Sequence, residues 1–178
     1  MKNDWENQEI TNINRLESRV DLPSYIGREE AIEDFRLASP FRQTLNGTWK
    51  FLFFHSPSEV KCGKDFWERY EEGTDMPVPS NWQTEGFGVP QYTNSVYPFP
   101  LDPPNVPNDN PTGVYMRPFE IPEAWEGRTI ILRFGGVDSF FQVYVNEKFV
   151  GMSKGSRIAS EFDVTSAVVF GEQNTIEV

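Results

Sequence analysis

The sequence predicts an all-β protein, a β-sandwich entered through a long N-terminal arm, and three observations carry that expectation. Residues 140–145 place Phe141, Val143 and Val145 on one face and Phe140, Gln142 and Tyr144 on the other, the period of a strand with one face in a core. The run Leu45-Asn46-Gly47-Thr48-Trp49-Lys50-Phe51-Leu52-Phe53-Phe54 repeats the pattern, with a turn dipeptide followed by Trp49, Phe51 and Phe53 alternating inward. Aromatic residues make up 15% of the chain beside 14 Pro and 13 Gly, a balance of short strands joined by many turns.

A chain of 178 residues suits one domain with a sizeable core and a long arm: 1–44 as arm and lead-in, 45–178 as the sandwich. Acidic residues outnumber basic ones 27 to 16, so a net charge of −11 disfavours nucleic acid and anionic membrane surfaces as partners. The single Cys62 forms no internal disulfide, and one histidine, His55, argues against His-rich metal sites and His-dependent nucleophiles. Residues 1–25 hold no apolar run of the kind a signal peptide or membrane span needs, and the compartment, cytoplasmic or periplasmic, stays open.

Residues 3–20 show neither strand nor helix period and read as an extended arm whose Trp5, Ile10, Ile13 and Leu16 can each enter a groove on the body. From Asp21 to Thr44 runs a lead-in with room for a helical turn or two at Arg28 to Phe35. After the first strand, Phe66-Trp67 and the acidic Glu68, Glu71 and Glu72 read as a solvated connection.

The segment from Met76 to Gly113 holds nine prolines, a density that forbids regular helix and leaves a long stiffened loop system. Loops beyond about 12 to 15 residues in a compact domain are functional or disordered. The rings of Trp82, Phe87, Tyr92, Tyr97 and Phe99 argue for order, with Trp82 and Tyr92 as anchors of the loop on the core. Strands follow at Val114 to Ile121 and Thr129 to Phe134. A hairpin then turns at Asn146-Glu147, where positive φ suits Asn better than Glu. A polar loop returns to a capped segment near Asp163, and a last strand starts at Asn174 after a Gly171-Glu172 turn and runs to the end of the chain, an expectation of a longer protein. The expected core is Trp49, Phe51, Phe53, Ile131, Phe134, Phe141, Val143 and Val145.

Several of these stretches carry a resemblance. Asp4-Trp5-Glu6-Asn7 and Asn14-Arg15 in the arm match it, as do Asn46-Gly47-Thr48-Trp49-Lys50-Phe51 and Val78-Pro79-Ser80-Asn81-Trp82-Gln83. So do Tyr92-Thr93-Asn94 with Tyr97-Pro98, Asn110-Pro111-Thr112-Gly113-Val114-Tyr115, and the hairpin with its Ser156-Arg157 to Glu161-Phe162-Asp163 return. Together they resemble the N-terminal sugar-binding domain of glycoside hydrolase family 2, in its β-galactosidase branch. The resemblance implies a jelly-roll, galactose-binding-like sandwich followed in the longer protein by immunoglobulin-like and (β/α)-barrel domains, with the acid and nucleophile glutamates in the barrel. The whole enzyme would hydrolyse terminal β-D-galactosides with retention and form a homo-oligomer. This domain would buttress the downstream domains and carry no catalytic residue.

The resemblance further implies that Asn94 contacts the substrate, where the residues alone favour an Asx turn. Some members hold a structural cation near the arm, magnesium in the intact enzyme, which carries a ligand role to Asp4 and Asn7. Against it stands Lys154, whose positive charge at the related position of the later loop repels a cation. A glycosidase needs two carboxyl groups at a set separation, and Asp138, Glu161 and Asp163 are the candidates within the chain. The alternative reading gives Asp138 and Asp163 to turn or capping amides and pairs Glu161 with Arg157. Other functional readings are a free-standing carbohydrate-binding module and an interaction sandwich with no sugar role.

Overall fold

The computed structural model describes residues 3–33, 39–60, 67–90, 97 and 99–178. Among the described residues nine strands form two antiparallel sheets: β1 Asn12–Ile13, β2 Gly47–Phe54, β3 Thr74–Val78, β4 Thr112–Glu120, β5 Ile131–Phe134, β6 Phe140–Val145, β7 Lys148–Lys154, β8 Ser160–Asp163 and β9 Gln173–Glu177. The large sheet runs β1-β7-β6-β9-β4-β2-β3, and β5 pairs with β8 in the small one. A short helix, α1, covers Arg28–Glu33. The peptide bonds Val78–Pro79, Pro103–Pro104 and Asp138–Ser139 are cis.

The sandwich closes where the small sheet lays its rings on the large one. Phe134 of β5 and Phe162 of β8 meet Phe141 of β6 at centroid distances of 5.0 and 6.1 Å. Around them Trp49, Phe119, Ile121, Ile130, Val143, Val145, Val150, Val164 and Ile176 form one buried cluster. Burying such side chains supplies roughly 1.5–3 kcal/mol each, the main term holding the layers together. Gly151 lets the layers approach, because a Cβ there would fall 2.5 Å from the Ile13 carbonyl oxygen and 2.7 Å from the Phe162 ring.

The hairpin forms as its sequence demands. Asn146 and Glu147 take φ of 49° and 64°, the paired left-handed conformation of a tight turn matched to strand twist. Glu bears that conformation because Asn146 is pinned: its Nδ2 donates to Ala167 O at 2.8 Å and Asn174 Oδ1 at 2.7 Å, and its Oδ1 accepts from Thr175 N at 2.9 Å.

Three expectations need correction. Phe53, Ile131 and Phe134 are only partly buried; the face of the β5 region packed on the core is Ile130, Leu132 and Phe134. The stretch at Trp67 is not a solvated connection, since Trp67 and Tyr70 stack at 5.1 Å and cover Leu52, Phe54, Val114 and Met116 on the outer face of β2 and β4. The strand β2 is thus buried on both faces, whereas the charged side chains beside Trp67 and Tyr70, Glu68, Glu71 and Glu72, face solvent. The arm is also part of the sheet, with Asn12 opposite Ser153 and Ile13 opposite Met152.

Candidate functional site

The proline-rich segment begins as β3 on the edge of the large sheet, where the missing amide of Pro77 costs least, and then leaves it. Its first loop is fastened by rings. Trp82 and Phe87 lie 5.7 and 5.0 Å from Phe51, and 6.2 and 5.9 Å from Phe53, while Tyr115 packs on Phe51 at 4.7 Å. Gly113 makes the contact possible: a Cβ there would meet the Trp82 ring at 2.3 Å and the Phe51 ring at 2.4 Å. Burial holds the Tyr115 hydroxyl above its ordinary pKa.

Backbone bonds fix the loop's shape. Thr84 N donates to Asn81 O at 2.9 Å, Phe87 N to Trp82 O at 3.0 Å, and Asn105 N to Asp102 O at 2.8 Å. The far end is tied where Asn110 N donates to His55 O at 2.8 Å, and the His55 ring stands edge-on to Phe53 at 5.5 Å. Tyr97 is exposed, 6.4 Å from Phe99. Asn94 and Tyr92, the expected substrate contact and second anchor, lie outside the described residues. The described parts on either side of them form a platform held on the sheet at both ends.

The three candidate carboxylates are brought to no common point by the interactions they make, and each has a local partner. Asp163 Oδ1 accepts from Thr165 N at 2.9 Å and Thr165 Oγ1 at 2.6 Å, and the Thr165 hydroxyl and amide hold its carboxyl below the ordinary range. Asp138 accepts from the Ser156 hydroxyl. Glu161 is nearly buried, with Arg19 Nε 2.7 Å from one oxygen and Arg133 Nη1 2.6 Å from the other. Burial pushes its carboxyl up, and the hydrogen bonds from Arg19 and Arg133 outweigh that and leave it lowered. The expected pairing with Arg157 is therefore replaced. The strand register sets Arg133 of β5 directly opposite Glu161 of β8, and the arm supplies Arg19.

Polar contacts fasten the arm along its length. Asp4–Glu6 make a single 3-10 turn, and Trp5 meets Phe140 edge-on at 6.0 Å. The Lys154 ammonium donates to the carbonyls of Asp4 and Asn7, each at 2.7 Å. Asn14, at φ 56°, donates from Nδ2 to Val150 O at 2.8 Å. Arg15 Nη1 donates to Ser153 Oγ at 2.8 Å and Lys154 O at 3.1 Å, and Leu16 N to Glu161 O at 2.9 Å. These roles for Asn14, Arg15 and Arg19 are not read from spacing, because every partner lies more than 130 residues away.

With this geometry described, comparison with known proteins places the chain. A β-galactosidase of Enterobacter cloacae is 42% identical over 175 residues, which cover 96% of this chain and 16% of that protein. A β-galactosidase of Yersinia enterocolitica is 44% identical over 168 residues, 92% of this chain and 15% of that protein. This chain thus spans a small part of the length of the curated relatives it matches. Among solved structures, the Lactobacillus rhamnosus β-glucuronidase superposes with a TM-score of 0.54 at 26% identity, covering 76% of this chain and 20% of that one. A Ruminococcus gnavus β-glucuronidase superposes with a TM-score of 0.55 at 25% identity, over the same 76% of this chain and 20% of the other. Residues 42–178, most of the chain, match the glycosyl hydrolases family 2 sugar binding domain, and the chain belongs to that family.

Proposed function

We propose that this domain belongs to a longer β-galactosidase that hydrolyses terminal β-D-galactosides with retention, and that it serves that enzyme without supplying a catalytic group. The observation that carries this reading is the identity to proteins named β-galactosidase over nearly the whole chain, proline-rich segment included. The carboxylate chemistry is compatible with it. Asp138, Glu161 and Asp163 are each engaged in a structural bond, whereas retaining hydrolysis needs an acid and a nucleophile facing one sugar. In this reading the ring-anchored loop presents Asn94 to the galactose, and an amide that both donates and accepts suits a sugar hydroxyl.

The test is kinetic. Full-length protein is assayed with an aryl β-galactoside and the matching aryl β-glucuronide, and the isolated domain with both. The expected result is a kcat/KM at least about 100-fold higher for the galactoside, a margin within reach of sites that hydrogen-bond their substrate's hydroxyls. The isolated domain is expected to turn over neither. Preference for the glucuronide overturns the substrate assignment, and turnover by the purified domain overturns its non-catalytic role.

A further inference from the structure

The contacts of the first few residues converge on one side chain. Lys154 closes β7, and its ammonium donates to Asp4 O and Asn7 O at 2.7 Å each while lying 5.9 Å from the centre of the Phe140 ring, the ring that Trp5 meets edge-on. The same residue's amide donates to Thr11 O at 2.9 Å, and its carbonyl accepts from Arg15 at 3.1 Å. Lys154 therefore holds the arm at four points with three different groups.

Two main-chain carbonyls turned toward one point by a tight turn are the kind of oxygen cradle that hard cations use. Here the cradle encloses an ammonium, which supplies three donors and a unit positive charge. The Asn7 side-chain oxygen is engaged elsewhere, accepting from Glu9 N at 3.1 Å. Among the described residues no group of three or more His, Cys, Asp or Glu side chains is placed to hold a metal ion. Magnesium requires near-octahedral oxygen ligation and gives up water reluctantly, and at this point it would face a like charge at contact distance. The residues present do not fit the cation that the resemblance of the arm implies.

We infer that the Lys154 ammonium is the arm's built-in cation: it docks residues 4–7 on the β6–β7 hairpin in place of a metal ion, and makes that docking independent of divalent metal. A tethered ammonium needs no supply of free ion and cannot be removed by a chelator. The inference concerns the arm alone and rests on no assignment of substrate.

Hydrogen exchange of the full-length protein, resolved by peptide, tests it. Wild type is compared in EDTA and in millimolar Mg²⁺, and Lys154→Met is compared with wild type. Residues 3–9 of wild type are expected to exchange at the same rate in both buffers. In Lys154→Met the same residues are expected to exchange about tenfold faster or more, as a locally released segment does, with the 140–152 hairpin unchanged as the internal control for folding. Should Lys154→Met fail to fold, the wild-type comparison stands on its own. The inference is overturned if EDTA speeds exchange of the wild-type arm and Mg²⁺ reverses it, or if folded Lys154→Met protects residues 3–9 as well as wild type does.

Discussion

The two long irregular segments of this domain are held to the sandwich by different physics. The proline-rich segment is fastened by rings, with Trp82 and Phe87 packed on Phe51 and Phe53 over a glycine that leaves them room. The arm is fastened by directed polar contacts that Lys154, Asn14 and Arg15 make across it and the large sheet, and by Arg19 on Glu161 of the small sheet. Ring packing is non-directional and indifferent to pH, whereas ion pairs and charge-assisted bonds respond to both pH and salt. A segment proposed to present a group to substrate gains from the first kind of support. A segment that closes the edge of a sheet needs the second, because backbone groups on an edge strand must find partners.

The largest expected effect breaks the ring platform. Phe51→Ala removes a ring that is 1% exposed and touches three others, and should lower unfolding free energy by about 3–5 kcal/mol in denaturant titrations. Gly113→Ala tests the same contact from the other side. Its Cβ displaces Trp82, so the loop should become susceptible to protease around residues 82–90 while the core strands remain.

On the arm side, Glu161→Gln leaves Arg133 and Arg19 without their counter-charge and should cost about 1–3 kcal/mol. The pH dependence sharpens that comparison. Because the carboxyl of Glu161 is lowered in the folded state, its contribution is complete above the ordinary glutamate range and is lost as pH falls through the lowered value. The stability difference between wild type and Glu161→Gln should therefore shrink on acidification, and a difference that grows toward acid would refute the pairing.

The smallest effect on stability belongs to Asn94→Ala. In the longer protein it should leave the unfolding midpoint nearly unchanged and lower kcat/KM by about tenfold, the loss of one hydrogen bond to an uncharged hydroxyl. An unchanged kcat/KM would make Asn94 a turn residue.

What could be read in the sequence follows the same division. Period-2 patterning located β2 and β6, and the demand for positive φ at Asn146-Glu147 located the hairpin turn that leads into β7, because both signals are local. The phase of β5 was not legible, since consecutive Ile130, Ile131 and Leu132 satisfy either face until Phe162 and Phe141 choose one. The cover of Leu52 and Phe54 by Trp67 and Tyr70 was hidden behind neighbouring glutamates that do face solvent. The arginine nearest Glu161 in sequence, Arg157, is not its partner, because strand register and the returning arm bring Arg133 and Arg19 to it. Asn146 was legible as a turn former but not as a half-buried junction, because the groups it bonds lie 21 to 29 residues away. Asn94 was legible only through resemblance, since an asparagine among prolines is equally a turn residue.

The division between ring-held loop and polar-held arm is tested most directly by peptide-resolved hydrogen exchange on Trp82→Ala and Glu161→Gln. The two sites touch different partners and should act independently. Trp82→Ala is expected to speed exchange through residues 81–90 and leave residues 3–19 as protected as in wild type, and Glu161→Gln is expected to speed exchange around residues 16–19 and leave residues 81–90 as protected as in wild type. Loosening of both segments by either substitution would contradict the account, because it would mean that arm and loop form one cooperative unit.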